Sequence, residues 1–290
     1  METGSWWGYR KMKWMLRLVC LLLVGVVPGG CQDKNAIVVA KIVVNAPRQL
    51  DDDVADKEAI RESIADWIDQ DALIQGGSPI KQSTHFLRVR IGDVLDAAPE
   101  EGGDYRMVTV DLKPLGHGAV YRVDGRGSQP EDLRVSVMGG FKDAMAVIAH
   151  QRRADLRGED AFITLLRHED WRIREFTLDR VASQRIVTAV PFLCDALMQE
   201  DVEPLRLRIV GVLAELGDER AVAPLIKLTR YQSPAFLLQV LHALGAIGGK
   251  EAEAFLVTVA GGHAVEGIRL VAIRIVKEME SVAASRPVRQ

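Results

Sequence analysis

The chain has 290 residues, with 37 Lys and Arg against 40 Asp and Glu, a net charge of −3, and 48% hydrophobic and 27% charged residues. That balance excludes an intrinsically disordered chain, and the length suffices for two domains. Mild acidity without basic runs argues against nucleic acid as a partner, because such binding rests on neutralising phosphates.

Arg10, Lys11, Lys13 and Arg17 form a basic segment, Leu18 to Val27 is an apolar stretch of ten residues, and Pro28-Gly29-Gly30 leads to Cys31. A basic region, a short apolar core and small residues before a cleavage point make a secretory signal over residues 1–30. The apolar run falls short of the ~20 residues that span a bilayer. Trp6, Trp7 and Tyr9 lengthen the leader, so translation could begin at Met12 or Met15. Small residues followed by cysteine resemble a bacterial lipoprotein signal. Gly29 and Gly30 suit that pattern, whereas Pro28 stands where leucine is usual. The resemblance implies that the Cys31 thiol takes a diacylglyceryl group and becomes the new amino terminus. The other reading is an ordinary cleaved signal with an incidental cysteine. Losing the leader removes four basic residues and Glu2, so −3 becomes −6. The expectation is a protein of the bacterial cell envelope, lipid-anchored and facing the periplasm or exterior, with residues 31–35 as the tether. Cys20 lies in the leader, which leaves Cys194 alone, without an intramolecular disulfide partner.

Residues 36–155 read as an α+β domain. Ala36 to Val44 is a β-branched apolar run suited to a buried strand. Asp51-Asp52-Asp53 leads into Ile60, Ile64, Trp67 and Ile68, an amphipathic helix that Asp53 or Asp56 can cap. Leu87, Val89 and Ile91 alternate along one strand and Val108, Val110 and Leu112 along another, with the polar turn 99–104 pairing them antiparallel. The turn 115–118 leads to Ala119, Tyr121 and Val123, and Val137, Phe141, Ala144, Met145 and Ile148 mark a closing helix. The expected unit is a small antiparallel sheet with two helices on one face. Its element order and the Val-Tyr-Arg-Val-Asp-Gly-Arg-Gly segment at 120–127 resemble the amino-terminal α/β modules of envelope lipoproteins involved in secretion and assembly.

Residues 156–280 repeat themselves four times. The pairs Ile173-Arg174, Leu205-Arg206, Phe236-Leu237 and Ile268-Arg269 recur at spacings of 32, 31 and 32, each opening an apolar stripe at i, i+4, i+7 and i+8 spacing. Gly217 and Gly248 end two of these helices, and Pro191, Pro204, Pro224 and Pro234 stand in first helical turns. Paired helices at this period need stacked neighbours to bury their apolar faces, which predicts an all-α solenoid of about four repeats. On the apolar-Arg pair, the runs at 213–218 and 243–248 and Ala-Val-Ala-Pro-Leu at 221–225, this segment resembles the HEAT family in its short bacterial form. Leu237 replaces the family's arginine, and Thr177 and Gln184 occupy usually apolar places, so the repeats are uneven. Residues 281–290 read as a disordered tail.

The catalytic constellations are thin. The six histidines include no i, i+4 pair, there is no Cys-x-x-Cys, and no serine lies in a Gly-x-Ser-x-Gly elbow. No cofactor, metal or catalytic residue is expected. The acidic runs Asp51 to Asp53 and Glu100, Glu101, Asp104 read as solvated loops in preference to a calcium site. His117 reads as a polar turn residue, Cys194 as a small buried apolar one, Trp171 as a cover for the end of the stack, and Arg174, Arg206 and Arg269 as structural residues that pair with a neighbouring repeat's carboxylate or backbone carbonyl. The expected function is a membrane-tethered scaffold that binds an unknown protein or peptide through its solenoid, not an enzyme. The alternatives are a HEAT-like lyase or chaperone-type enzyme, or a secretion and assembly factor whose α+β domain carries the function.

Overall fold

The computed structural model describes residues 37–46, 54–70, 74–76, 84–96, 103–229 and 233–285. The leader, Cys31, the tether, Asp51 to Asp53, Glu100, Glu101 and residues 286–290 lie outside the described residues.

The amino-terminal domain has β1 (Ile37–Asn45), α1 (Val54–Gln70), β2 (Ile74–Gly76), β3 (His85–Leu95), β4 (Tyr105–Pro114), β5 (Tyr121–Gly127) and α2 (Leu133–Arg157). The five strands among its described residues run in the order β2-β1-β3-β4-β5. The expected antiparallel pairing of β3 with β4 is present, with Leu87 opposite Leu112 and Val89 opposite Val110, and β5 continues it. One expectation is corrected: the sheet is mixed. β1 pairs parallel with both β3 and the short β2, because the helix α1 between β1 and β3 returns the chain to the same end, as a crossover does. Ile60, Ile64 and Ile68 of α1 and Val137, Phe141, Ala144 and Ile148 of α2 cover one sheet face. Trp67 stands edge-on to Phe141 at 5.2 Å, a favoured aromatic geometry.

Two features of β5 follow from its glycines. A Cβ on Gly125 or Gly127 would overlap the carbonyl oxygens of Gly140 and Ser136, so α2 lies against β5 backbone to backbone. The outward edge of β5 is also partly occupied. Asp143 of α2 accepts the Arg126 N–H at 2.9 Å, which blunts an edge that could otherwise pair with another chain.

Among the described residues the second part is four helix pairs: α3 (Glu159–Leu165) with α4 (Trp171–Ser183), α5 (Val190–Gln199) with α6 (Glu203–Leu216), α7 (Val222–Leu228) with α8 (Pro234–Ile247), and α9 (Lys250–Gly262) with α10 (Glu266–Ser285). All four prolines sit where the sequence places them, in first turns. Gly217 closes α6 in the left-handed conformation (φ 68°, ψ 27°), and Gly248 closes α8 at a positive φ of 76° in an extended conformation open to glycine. The first repeat ends instead on Arg185 at φ 51°, which costs a side-chain-bearing residue roughly 1 kcal/mol. Thr177 is fully buried in an apolar stripe because its hydroxyl donates to the Ile173 carbonyl one turn back at 2.7 Å. The last helix runs to Ser285, five residues past the end expected at 280.

The two cores meet without a linker. Ile173 of α4 belongs to the sheet core, and Ala154 of α2 belongs to the solenoid core.

Candidate functional site

The second helices α4, α6, α8 and α10 pack on one another in a row, and the repeat fixes which residues they turn outward. Two positions after each stripe-opening residue stand Glu175, Leu207, Leu238 and Leu270. Four further on stand Asp179, Gly211, His242 and Arg274. Leu270 is 56% exposed and Leu207 36%, with Leu238 half-buried between them. A Cβ added at Gly211 would meet nothing, so the face dips there. The row is therefore a strip of three leucines with carboxylates at the α4 end and Arg274 with Lys277 at the α10 end. Burial and the Asp179 charge raise the Glu175 carboxyl above the usual carboxylate range, against the pull of Arg208. Arg208 itself spans two helices, donating to Asp179 at 2.9 Å and to Glu215 at 3.2 Å. With helix axes 8–10 Å apart the row is roughly 24–30 Å long, the length of a helix of about 16–20 residues.

The arginines that follow the stripe-opening residues lie away from this strip and hold the repeats in place. Arg174 makes two bonds of 2.8 Å to Glu200 of the next repeat and donates to the carbonyls of His168 and Glu169. Arg269 donates to the carbonyls of His263 and Ala264. Arg206 lies over the Phe236 ring at 5.0 Å, in contact with the repeat whose own arginine is replaced by the buried Leu237. Arg174 and Arg269 thus bond the carboxylate and carbonyls that their place in the repeat implied, whereas Arg206 stacks on a ring and its buried Nε has no hydrogen-bond partner among the described residues.

A second concave region lies where α4 meets β5. Val120, Tyr121, Trp171 and Phe176 line a cleft of ≈ 310 Å³, and Trp171, expected to cover the end of the stack, is 44% exposed beside it. Ion pairs hold its floor. Arg172 grips Asp143 of α2 at 2.7 and 3.0 Å, Asp170 at 2.7 Å and the Asp124 carbonyl of β5 at 2.7 Å. Burial makes a charge costly here, and the bonds to Asp143 and Asp170 outweigh it, so Arg172 titrates above the usual arginine range. Burial likewise opposes ionisation of Asp170, but the bonds and charge of Arg172 bring its carboxyl below the usual range. Arg180 makes a bidentate pair with Asp155 at 2.7 and 2.9 Å, and Asp155 also accepts the Tyr121 hydroxyl at 2.7 Å. Burial first, then the hydrogen bond to Asp155 and its charge, pushes the Tyr121 hydroxyl above its ordinary range. A phenol so held is a neutral donor, not a nucleophile.

The remaining candidates do not assemble into a reactive centre among the described residues. His117 is exposed on its turn and borders a hollow of ≈ 430 Å³ with His85 and Asp155, whose carboxylate is already taken by Arg180 and Tyr121. His150 and His168 meet edge to face at 5.3 Å. Cys194 is buried, and burial pushes its thiol up to about 11, away from the thiolate form that reacts or binds metal. Sequence reasoning missed the leucine strip, although one count from the repeat pairs finds it.

Residues 190–277, which span the second, third and fourth helix pairs, match the family model of HEAT repeats. No curated protein matches the chain.

Proposed function

Because residues 190–277 are HEAT repeats, we propose that this helical-repeat protein is a membrane-tethered interaction scaffold of the bacterial cell envelope. Cys31 carries the lipid in this reading, and the row α4-α6-α8-α10 receives one amphipathic protein segment. The observation that carries the docking half is the leucine strip Leu207-Leu238-Leu270 between a carboxylate end and a cationic end. Leu207 and Leu270 leave apolar surface in water on either side of the half-buried Leu238, which packs on the core, and surface so placed in register across three repeats offers a contact to a partner. The end charges set polarity: the partner's basic end lies over Glu175 and Asp179, its acidic end over Arg274. The tether half rests on the order of basic residues, apolar core, small residues and cysteine in residues 10–31.

The test uses the whole chain, because α4 is held by α2 and β5 and a solenoid fragment would lose those partners. Leu207→Glu with Leu270→Glu is compared with the unaltered protein in crosslinking from detergent-solubilised membranes. A crosslinked partner should disappear in the double variant while the melting temperature stays within a few degrees. Equal recovery of every partner by both proteins would remove the strip as the docking surface. The mass of the mature amino-terminal peptide reads the tether independently: an unmodified chain starting elsewhere than Cys31 ends that half of the proposal.

A further inference from the structure

The sheet has a second face, opposite α1 and α2, and strand pairing gathers cations there that the sequence keeps apart. Lys41 of β1, Arg88 and Arg90 of β3, Lys113 of β4 and Arg122 and Arg126 of β5 all alternate away from the helix-covered side. Among the described residues the carboxylates on the same face are Asp111, Asp124 and, in the β-bulge opposite Met107, Asp93, so the face carries a net +3 in a chain whose total is −3. Among the described residues no helix packs on it. Asp111 is fully buried and is shared between Arg122 and, at 3.5 Å, Arg90, which fixes the middle of the layer. The excess positive charge therefore sits on Lys41, Arg88, Lys113 and Arg126. Clustering like charges on one sheet face costs folding stability, which leaves an external counter-charge as its use.

We propose that this face lies on the surface of an anionic phospholipid bilayer. A sheet face with cations spread over four strands suits a layer of phosphates. Arg88 covers the Phe86 ring at 5.7 Å and Arg126 the Tyr105 ring at 4.7 Å, so the two aromatic faces that could stack on nucleic-acid bases are occupied, and what remains outward is charge. The proposal also rests on the tether reading, since Cys31 lies only six residues before β1, within roughly 20 Å of extended chain. A lipid anchor and a basic surface together bind a membrane more firmly than either does alone.

The experiment uses the full chain with Cys31→Ala, which abolishes acylation, and sediments it with vesicles of phosphatidylcholine alone or mixed equally with phosphatidylglycerol. The neutral vesicles read what the apolar part of the leader contributes, and the triple variant below, which keeps Arg10, Lys11, Lys13 and Arg17, reads what its basic segment contributes. Partitioning should rise on the anionic vesicles and fall as salt is raised. The variant Lys41→Gln, Lys113→Gln, Arg126→Gln should lose about a hundredfold of that rise, since each basic residue near an anionic surface is worth about fivefold. Lys41→Arg with Lys113→Arg should keep it, and circular dichroism checks that each variant is folded. Equal binding to both vesicle types, an unchanged rise in the folded triple variant, or tighter binding to an oligonucleotide at the same salt would each overturn the proposal. An amino-terminal mass without lipid would instead sink the tether and leave a charge-dependent rise standing.

Discussion

In the α+β domain, α2 lies on β5 with backbone against backbone, whereas in the solenoid the helices meet through side chains such as Leu213, Val240 and Ile275, the last seated on Gly245 of α8. The first contact works only while Gly125, Gly127 and Gly140 lack side chains; the second tolerates uneven repeats, including Thr177 and Leu237 in unusual places. A close backbone approach concentrates its dependence on a few atoms, and side-chain packing spreads it over many. The sharpest way to break this asymmetry is Gly125→Ala. Its new Cβ would overlap the Gly140 carbonyl, which is part of a helix and cannot rotate away. We expect a loss of at least about 3 kcal/mol, the upper range for overpacking, measured by chemical denaturation, with amide exchange rising first in β4, β5 and α2. A loss below ~1 kcal/mol would mean that α2 can lift off the sheet.

The two regions are joined by Arg172, and that contact is expected to be of middle size. Arg172→Ala leaves Asp143 and Asp170 without their cation. Asp143 is 36% exposed and can take up water, so we expect about 2 kcal/mol in place of the ~3–5 for a fully buried pair. The readout is faster amide exchange in α4 and β5 with α6 to α10 unchanged. The pH dependence follows from Asp170, whose carboxyl is depressed in the folded protein. A depressed carboxylate contributes stability that is present above its ordinary value of 3.8 and is lost as pH falls through the lower folded value. The unaltered protein should therefore lose stability in acid below about pH 4 more steeply than Arg172→Ala. Parallel acid curves would show that the pair contributes nothing to folding.

Legibility differed between the regions for a physical reason. The solenoid repeats its pattern at a fixed period, so Ile173, Leu205, Phe236 and Ile268 announce the helices, and Gly217 and Gly248 their ends. Strand partners leave no such mark. Nothing in Ala36 to Val44 says that it pairs parallel with β3, since parallel order depends on where α1 returns the chain. The basic sheet face was hidden similarly: Arg88 and Arg90, or Arg122 and Arg126, are separated by core residues, so a search for basic runs passes over them. The leucine strip was legible in principle, because exposed positions repeat with the same period as buried ones. The Arg172 junction was not, because its partners Asp124 and Asp143 lie 48 and 29 residues away.

The smallest expected effect lies in the solenoid, and its sign opposes the first. Gly211 stands mid-helix in α6, where an added Cβ would meet nothing. Glycine in a helix interior costs roughly 0.5–1 kcal/mol relative to alanine because the unfolded chain has more conformations to lose. Gly211→Ala should accordingly stabilise the protein by about that amount, although Gly125→Ala, the same chemical change, destroys packing. Its second readout concerns function. Gly211 lies beside the leucine strip, where its missing side chain makes a depression within the proposed docking surface. If that depression receives a partner side chain, Gly211→Ala should weaken crosslinking while raising the denaturation midpoint. Stability and binding would then move in opposite directions. A gain in stability with undiminished crosslinking would leave the leucines as the contact and the glycine as a position without a docking role.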